Sequence, residues 1–410
     1  MPEEAPRSLP SAAADADAFN RALALLQAGD APAAECLFVD LLQRQPRHAG
    51  ALHLLGIVRA QQGELDTAIA LFQQALALRP QDAIAHHNLG NALALQNRRA
   101  EALASLDRAL ELQPANADAL ITRAKMQMEL QQPIDALRSL DQALALRPNA
   151  PEALMYRGDV LAQLSELGMS RREDALQAYR ESLAHGGDAE GLHYFMAAIG
   201  EGAPPPAAPR RFVVQLFDHY AANFDQHLVQ TLQYRTPELI GAALQRVGMA
   251  GDAEVLELGC GTGLCAPGLR LLARRLVGVD LSENMLAQAR ARGGYDSLHC
   301  ADIEEHLQTL QADFDLIVAA DVFVYIGDLQ GVFAGAQRAL RPGGRFVFSL
   351  ESHGGADFVL QPSRRYAHAV GYIERLAVQH GFAMELQEPC VLRLNAGAEV
   401  PGCVLVLRRI

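Results

Sequence analysis

Through roughly its first 190 residues the chain repeats one arrangement of small, bulky and helix-stopping positions every 34 residues. Small side chains recur at Ala22, Gly56, Gly90, Ala124 and Gly158, and a second small series runs Ala34, Ala68, Ala102, Ala136 and Ala175. Bulky residues follow at Phe38, Phe72, Leu106, Leu140 and Tyr179, and Pro46, Pro80, Pro114 and Pro148 stop the cycle, since proline has no N–H with which to extend a helix. This pattern predicts pairs of helices that cross at their small residues. The fifth copy carries extra residues around 168–172 and lacks the closing proline, as a terminal unit of a stack can. Past Gly200 the pattern ends in Gly200-Glu201-Gly202-Ala203-Pro204-Pro205-Pro206, which reads as a proline-rich linker. Short apolar runs near 254–258, 275–280, 296–300, 314–320 and 344–350 then alternate with helical segments, which predicts a parallel sheet with right-handed crossovers. Two more apolar stretches lie near 384–393 and 402–408. The expected division is a flexible segment 1–14, five repeats over 15–190, a connecting segment 191–211 and a second folded domain over 212–410.

The chemistry gathers where the first strand ends. Val255-Leu256-Glu257-Leu258-Gly259-Cys260-Gly261-Thr262-Gly263 runs from a buried strand into a loop with glycines at alternate positions, leaving no Cβ between a ligand and the backbone. A helix beginning near Leu264 turns its positive end toward that loop. A dinucleotide fingerprint would place a glycine at position 264, where Leu264 stands, so nicotinamide cofactors fit poorly. The next strand ends at Asp280, where a carboxylate can accept from both ribose hydroxyls of a nucleoside or can cap the helix that starts at Ser282-Glu283-Asn284.

A 34-residue period of this composition is that of tetratricopeptide repeats. Over about residues 212–410 the chain resembles the class I S-adenosylmethionine-dependent methyltransferases. The pairing of the two resembles predicted methyltransferases with amino-terminal tetratricopeptide repeats. That resemblance implies an all-α repeat solenoid followed by an α/β Rossmann-like domain with a mostly parallel seven-stranded sheet, whose edge carries the last two strands as an antiparallel hairpin. It implies S-adenosylmethionine as cofactor. Glu257, Gly259, Gly261 and Gly263 would face its methionine part, Asp280 its ribose with Leu281 and Met285 alongside, and Asp302 and Ile303 its adenine. Asp321, at the end of the fourth strand, would complete the cofactor-binding set where the pocket opens to its acceptor side. Phe217, Tyr220 and Phe224 fall at helical spacing and read either as a core stripe or as a lid; in the methyltransferases resembled, a tyrosine of a Y-A-x-x-F-D segment reaches over the cofactor, which points to Tyr220.

Acceptor-side residues are less legible. Methyl transfer asks the protein mainly for orientation, exclusion of water and, for some acceptors, a base. Glu351, His353 and Tyr325 are candidates for that base, Glu351 serving equally well as a partner for neighbouring backbone. Tyr325, Arg365, Tyr366 and His368 are candidate acceptor contacts, in which Ser363-Arg364-Arg365-Tyr366-Ala367-His368 either recognises an anion or caps a helix. The acceptor is a small molecule or a protein. The repeats offer a groove to a protein or peptide partner, with His53, Ile57, His87, Asn91, Ile121, Lys125, Met155 and Asp159 expected to face it. The alternative reading is a repeat scaffold whose second domain is regulatory or inactive.

The charge of −13, from 48 acids against 35 bases, argues against nonspecific nucleic-acid binding. The six cysteines show no metal-ligand spacing and no disulfide framework, so no metal is expected. No apolar run approaches a bilayer's thickness and no basic-then-apolar leader is apparent, so a cytoplasmic protein without membrane association is expected.

Overall fold

Each helix pair of the amino-terminal half closes around a side chain that is small or missing. In the computed structural model, which describes residues 12–221, 224–226, 228, 233–395 and 398–410, five pairs follow one another: Ala12–Gln27 with Ala31–Arg44, Ala49–Gln61 with Leu65–Leu78, Ala83–Leu95 with Arg99–Leu112, Ala117–Glu129 with Pro133–Leu146, and Pro151–Glu166 with Arg172–Ala184. A Cβ placed on Gly56 would lie 2.7 Å from the ring of Phe72, and one on Gly90 2.7 Å from Leu106; Gly158 lies against Tyr179 in the same way. Ala22 and Ala124 take the same position fully buried. Asp30, Asp82 and Asn116 accept amide N–H groups at the starts of their helices, so the local sequence also says where each helix begins. His53 and His87 bond to Asn88 and Asn91 at 2.8 and 3.1 Å, and burial holds both imidazoles below their usual pKa.

The chain divides into two compact units at Gly187 and Asp188. The second unit starts earlier than the linker reading allows. Residues 189–198 form a helix whose Leu192 and Tyr194 are fully buried, and the prolines after it are bonded into the fold. Proline-rich composition had suggested a spacer because it removes amide donors, yet the carbonyls remain: Pro206 accepts from the N–H groups of Gly327 and Asp328 at 2.7 and 2.8 Å.

The sheet of this unit contains β1 (Ala253–Leu258), β2 (Ala273–Asp280), β3 (Ser297–Cys300), β4 (Phe314–Ala319), β5 (Leu340–Glu351), β8 (Phe382–Asn395) and β9 (Ala398–Arg409), in the order β3-β2-β1-β4-β5-β9-β8. The first five are parallel, and β9 pairs antiparallel to β5 and to β8. Every residue of β1 is buried, as expected for a parallel strand covered on both faces. A separate hairpin pairs β6 (Phe358–Leu360) with β7 (Tyr366–His368). Strand order reverses between β1 and β4, which opens a crevice at their carboxyl ends. Among the described residues, no helix is long and apolar enough to cross a membrane.

Gly158→Leu is expected to destabilise the repeat unit by about 1–3 kcal/mol through overpacking against Tyr179. Gly241→Ala, in a helix where an added Cβ meets nothing within 4 Å, is expected to stabilise the second unit by about 0.5–1 kcal/mol. Urea titration followed by circular dichroism checks both, and equal shifts of one sign would refute the packing account.

Candidate functional site

The crevice is built outward from Asp280. Its Oδ2 accepts the N–H of Gly261 at 2.8 Å and its Oδ1 that of Ser282 at 2.9 Å, so one carboxylate ties the loop after β1 to the end of β2. Ser282, not Asp280, caps the following helix, its hydroxyl accepting the N–H of Met285 at 3.1 Å. Asp280 therefore keeps lone pairs for a ligand in the cavity that it lines. Gly261 has φ of +54°, and an added Cβ there would enter open space. At Gly259 a Cβ would stand 2.5 Å from Val322, and at Gly263 3.0 Å from Tyr295. The three glycines thus serve a turn with open access to the cavity and two close packings. The helix expected near Leu264 is only Ala266–Arg270.

Glu257 lies beneath the loop, 2% exposed, and accepts the Tyr295 hydroxyl at 2.6 Å. Burial raises its pKa from 4.5 to about 7, against the lowering effect of Tyr295. Asp302 begins the helix Ile303–Gln308, its Oδ1 accepting from Glu304 and Glu305, and lines the cavity with Leu281 and Ile303. Met285 is fully buried and stands outside the cavity wall. The side chain of Tyr220 lies outside the described residues. The rest of its segment is placed: Phe217 lines the cavity with its ring edge-on to Tyr325 at 5.4 Å, and Phe224 lines it too. Two acids tie this segment to the cofactor side, Asp218 accepting from the Ser282 hydroxyl and Asp225 from the Thr262 hydroxyl, each at 2.5 Å.

Across the cavity the polar groups are arginines and their acids. Asp321 sits at φ of +59°, an unusual conformation for a residue with a side chain, and its N–H donates to Ser349 Oγ at 2.8 Å. Both of its oxygens accept from Nη1 of Arg393 at 2.8 Å. Arg393, with a side chain 2% exposed, also donates through Nη2 to Glu351 Oε1. Arg365 Nη1 stands 3.7 Å from that same Oε1. Tyr325, Arg365, Arg393, Asp321 and Tyr234 all line the cavity.

Several expected site residues are elsewhere. Glu351 is buried between two arginines, so it is a counterion and not a free base. His353 lies in a loop, its Nδ1 accepting the N–H of Gly355 at 2.9 Å and its Nε2 3.2 Å from the carbonyl of Asp357. Tyr366 is fully buried and donates its hydroxyl to the carbonyl of Pro205 at 2.7 Å. His368 is also fully buried, with Nε2 3.0 Å from the carbonyls of Ile326 and Gly327, and burial lowers its pKa to about 4. Alternation along β7 sends Tyr366 and His368 to one face, away from the cavity that Arg365 enters. Arg393 and Tyr234 were missed. The one signal for Arg393 was a cation inside an otherwise apolar run of β8.

A parallel sheet with a cavity at its reversal point, walled by a glycine loop and by acids at successive strand ends, defines a Rossmann-like domain with a candidate ligand site. In comparison with known proteins, residues 256–348 match the model for a methyltransferase domain, and residues 56–97, 83–116 and 121–190 match models for tetratricopeptide repeats. The chain therefore joins segments that match tetratricopeptide repeats to a segment that matches a methyltransferase domain. Among curated relatives it is 31% identical over 149 residues to the biotin biosynthesis bifunctional protein BioCD of Bordetella avium, covering 35% of this chain and 31% of the relative. It is 34% identical over 151 residues to the malonyl-(acyl-carrier protein) O-methyltransferase of Geobacter sulfurreducens, covering 35% and 55%. The matched segments thus span well under two thirds of either relative. A solved S-adenosylmethionine dependent methyltransferase from Mesorhizobium loti is 26% identical, covering 41% of this chain and 96% of that one, with a TM-score of 0.34.

Arg393→Met leaves two acids without their common partner and is expected to cost the second unit about 3–5 kcal/mol. Thermal denaturation measures this, and a loss under 1 kcal/mol would show that the buried pairs are dispensable.

Proposed function

We propose that the chain is an S-adenosylmethionine-dependent methyltransferase. The observation that carries this reading is the Asp280 carboxylate, held by two backbone amides at the mouth of a cavity between the glycine loop and the Asp302 helix. The residues present fit the group. Asp280 would hold the ribose hydroxyls, Asp302 and Ile303 the adenine, and Glu257 with the loop of Gly259, Gly261 and Gly263 the methionine end. When bound, S-adenosylmethionine supplies a methyl group already activated on a sulfonium.

The chain's own residues then orient and dry the site. Phe217, Phe224, Val213 and Leu228 give the cavity an apolar wall that excludes water. Tyr325 and Tyr234 stand on the acceptor side, where burial raises both hydroxyl pKa values and keeps them neutral hydrogen-bonding groups. The acceptor is a small molecule or a carrier-bound group; the Geobacter relative is named for a malonyl group on an acyl-carrier protein. The repeats would recruit a protein partner, with Lys125 among the groove residues, its Nζ 3.9 Å from Glu152 and stacked over Tyr156. A protein of this kind would work in the cytoplasm.

Asp280→Ala and Gly261→Arg are expected to abolish calorimetric binding of S-adenosylmethionine while leaving helical circular dichroism intact; unchanged affinity in both would overturn the cofactor assignment. Methyl transfer itself is tested by incubating the protein with donor labelled in the methyl group and a cell extract, and following label into a discrete product.

Glu257 gives the binding a pH dependence. Its carboxyl is half protonated near pH 7, and a cationic ligand favours the ionised form, so affinity falls as pH drops below about 7, by up to about tenfold per unit. Without ligand the linkage has the opposite sense: the stability contributed by the raised pKa is present below about 4.5 and is lost as pH rises through about 7. Titrations between pH 5.5 and 8.5 measure the slope, and Glu257→Gln is expected to flatten it.

A further inference from the structure

The acceptor side of the cavity is lined by Arg365, Arg393 and Asp321, with Glu351 buried behind the arginines, and the hydrogen bonds of the two arginines are spent unequally. Arg393 takes both oxygens of Asp321 and Oε1 of Glu351. Arg365 has an ion-pair contact of 3.7 Å to that same, already engaged, Oε1 and a hydrogen bond to the Tyr325 side chain, which together use only part of its five donors. Among the described residues no carboxylate is hydrogen-bonded to Arg365, yet its side chain is 29% exposed and lines the cavity beside Tyr325. Its neighbour in sequence behaves otherwise: the Arg364 guanidinium stacks at 3.6 Å over the ring of Phe195. A guanidinium presents five donors in a planar fork that matches a carboxylate, and in a water-poor cavity such donors are costly to leave unmet.

A second observation bears on the same choice. Asp321 and Glu351 are both committed to Arg393, and His353 and His368 point elsewhere. Among the described residues, each of these carboxylates and imidazoles on the acceptor side already has a protein partner. An acceptor that arrives ionised needs none of them as a base.

We propose that the acceptor carries a carboxylate and that Arg365 receives it in the cavity. This rests on the methyltransferase reading, and it adds the class of acceptor and the residue that selects it. Arg365 is thereby a specificity residue; Arg393 is a positioning residue that occupies the two acids and keeps them from neutralising Arg365 by direct hydrogen bonds.

The test is calorimetry on the full chain, first with S-adenosylhomocysteine and then, at saturation, with a panel of probes: C3 to C8 mono- and dicarboxylates, benzoate and cinnamate, each beside its primary amide. At least one carboxylate is expected to bind saturably and its amide at least tenfold more weakly. Arg365→Gln is expected to weaken that carboxylate by about 30-fold or more, Arg365→Lys by less because charge remains without the fork. Affinity for S-adenosylhomocysteine should stay within about threefold in both, which also reports that the variants fold. Should Arg365→Gln fail that check, Arg365→Lys and Tyr325→Phe carry the comparison, each expected to weaken the carboxylate between threefold and tenfold. No saturable carboxylate, equal binding of acid and amide, or equal carboxylate affinity in wild type and variants overturns the proposal while the cofactor reading stands. Failure of S-adenosylhomocysteine to bind the wild type overturns the cofactor reading and this inference with it.

Discussion

The site depends on a carboxylate that is anchored by backbone before any ligand arrives. Asp280 accepts amide hydrogens from the loop after β1 and from its own strand end. A carboxylate has about four acceptor positions, so two amide bonds fix its plane and leave the rest directed outward. This explains why burial can raise its pKa without disabling it: the amides oppose the cost of desolvation at the atoms a ribose would use. It also explains the loop. Gly261 must point its N–H at Asp280 from a left-handed conformation while offering no side chain to the cavity.

Glu257 works by the opposite logic. Buried, with the Tyr295 hydroxyl and the Cys265 thiol as its donors and the Asp280 carboxylate nearby, it has its charge poorly supported. Two acids a few residues apart on neighbouring strands are thus set to different tasks by their hydrogen-bond supply. Across the cavity, Asp321 and Glu351 are supplied by a charged donor, since Arg393 bonds both oxygens of Asp321 and Oε1 of Glu351; this makes partners of a buried guanidinium out of acids that look like bases in the sequence.

The repeats and the glycine-loop side of the cavity were legible as structure because their signals are local. A small residue facing a bulky one recurs from helix pair to helix pair, and the acid at the end of β1 lies next to the glycines that follow it. The seven strands were found near their true places, with the last two paired at the sheet's edge. The acceptor half was not legible because its contacts are remote in sequence: Arg393 meets Asp321 across 72 positions and Glu351 across 42. Tyr366 and His368 had the right chemistry and the wrong face, which becomes apparent only once β7 is paired with β6. The helix 189–198 was missed because its first turns follow a glycine pair and a linker-like run comes after it.

The proline-rich stretch shows how composition alone misled. Proline cannot donate to a neighbouring strand, but it leaves its carbonyl in a fixed, extended backbone, ready to accept. Pro205 accepts from Tyr366 and Pro206 from two amides of the loop after Tyr325, while the N–H of Ala208 donates to the carbonyl of Tyr325. Tyr194 adds a hydroxyl bond to the carbonyl of Arg364, the residue beside Arg365. The segment therefore braces both cavity elements that carry acceptor-facing side chains. Arg365, Arg393 and this brace all fall outside residues 256–348, the part that matches the methyltransferase family model. Asp321 and Tyr325 lie inside that part, so the acceptor-side wall is assembled where the matched segment meets later chain, and a change at Arg365 or Arg393 can alter this wall while the glycine loop and Asp280 keep their own hydrogen bonds.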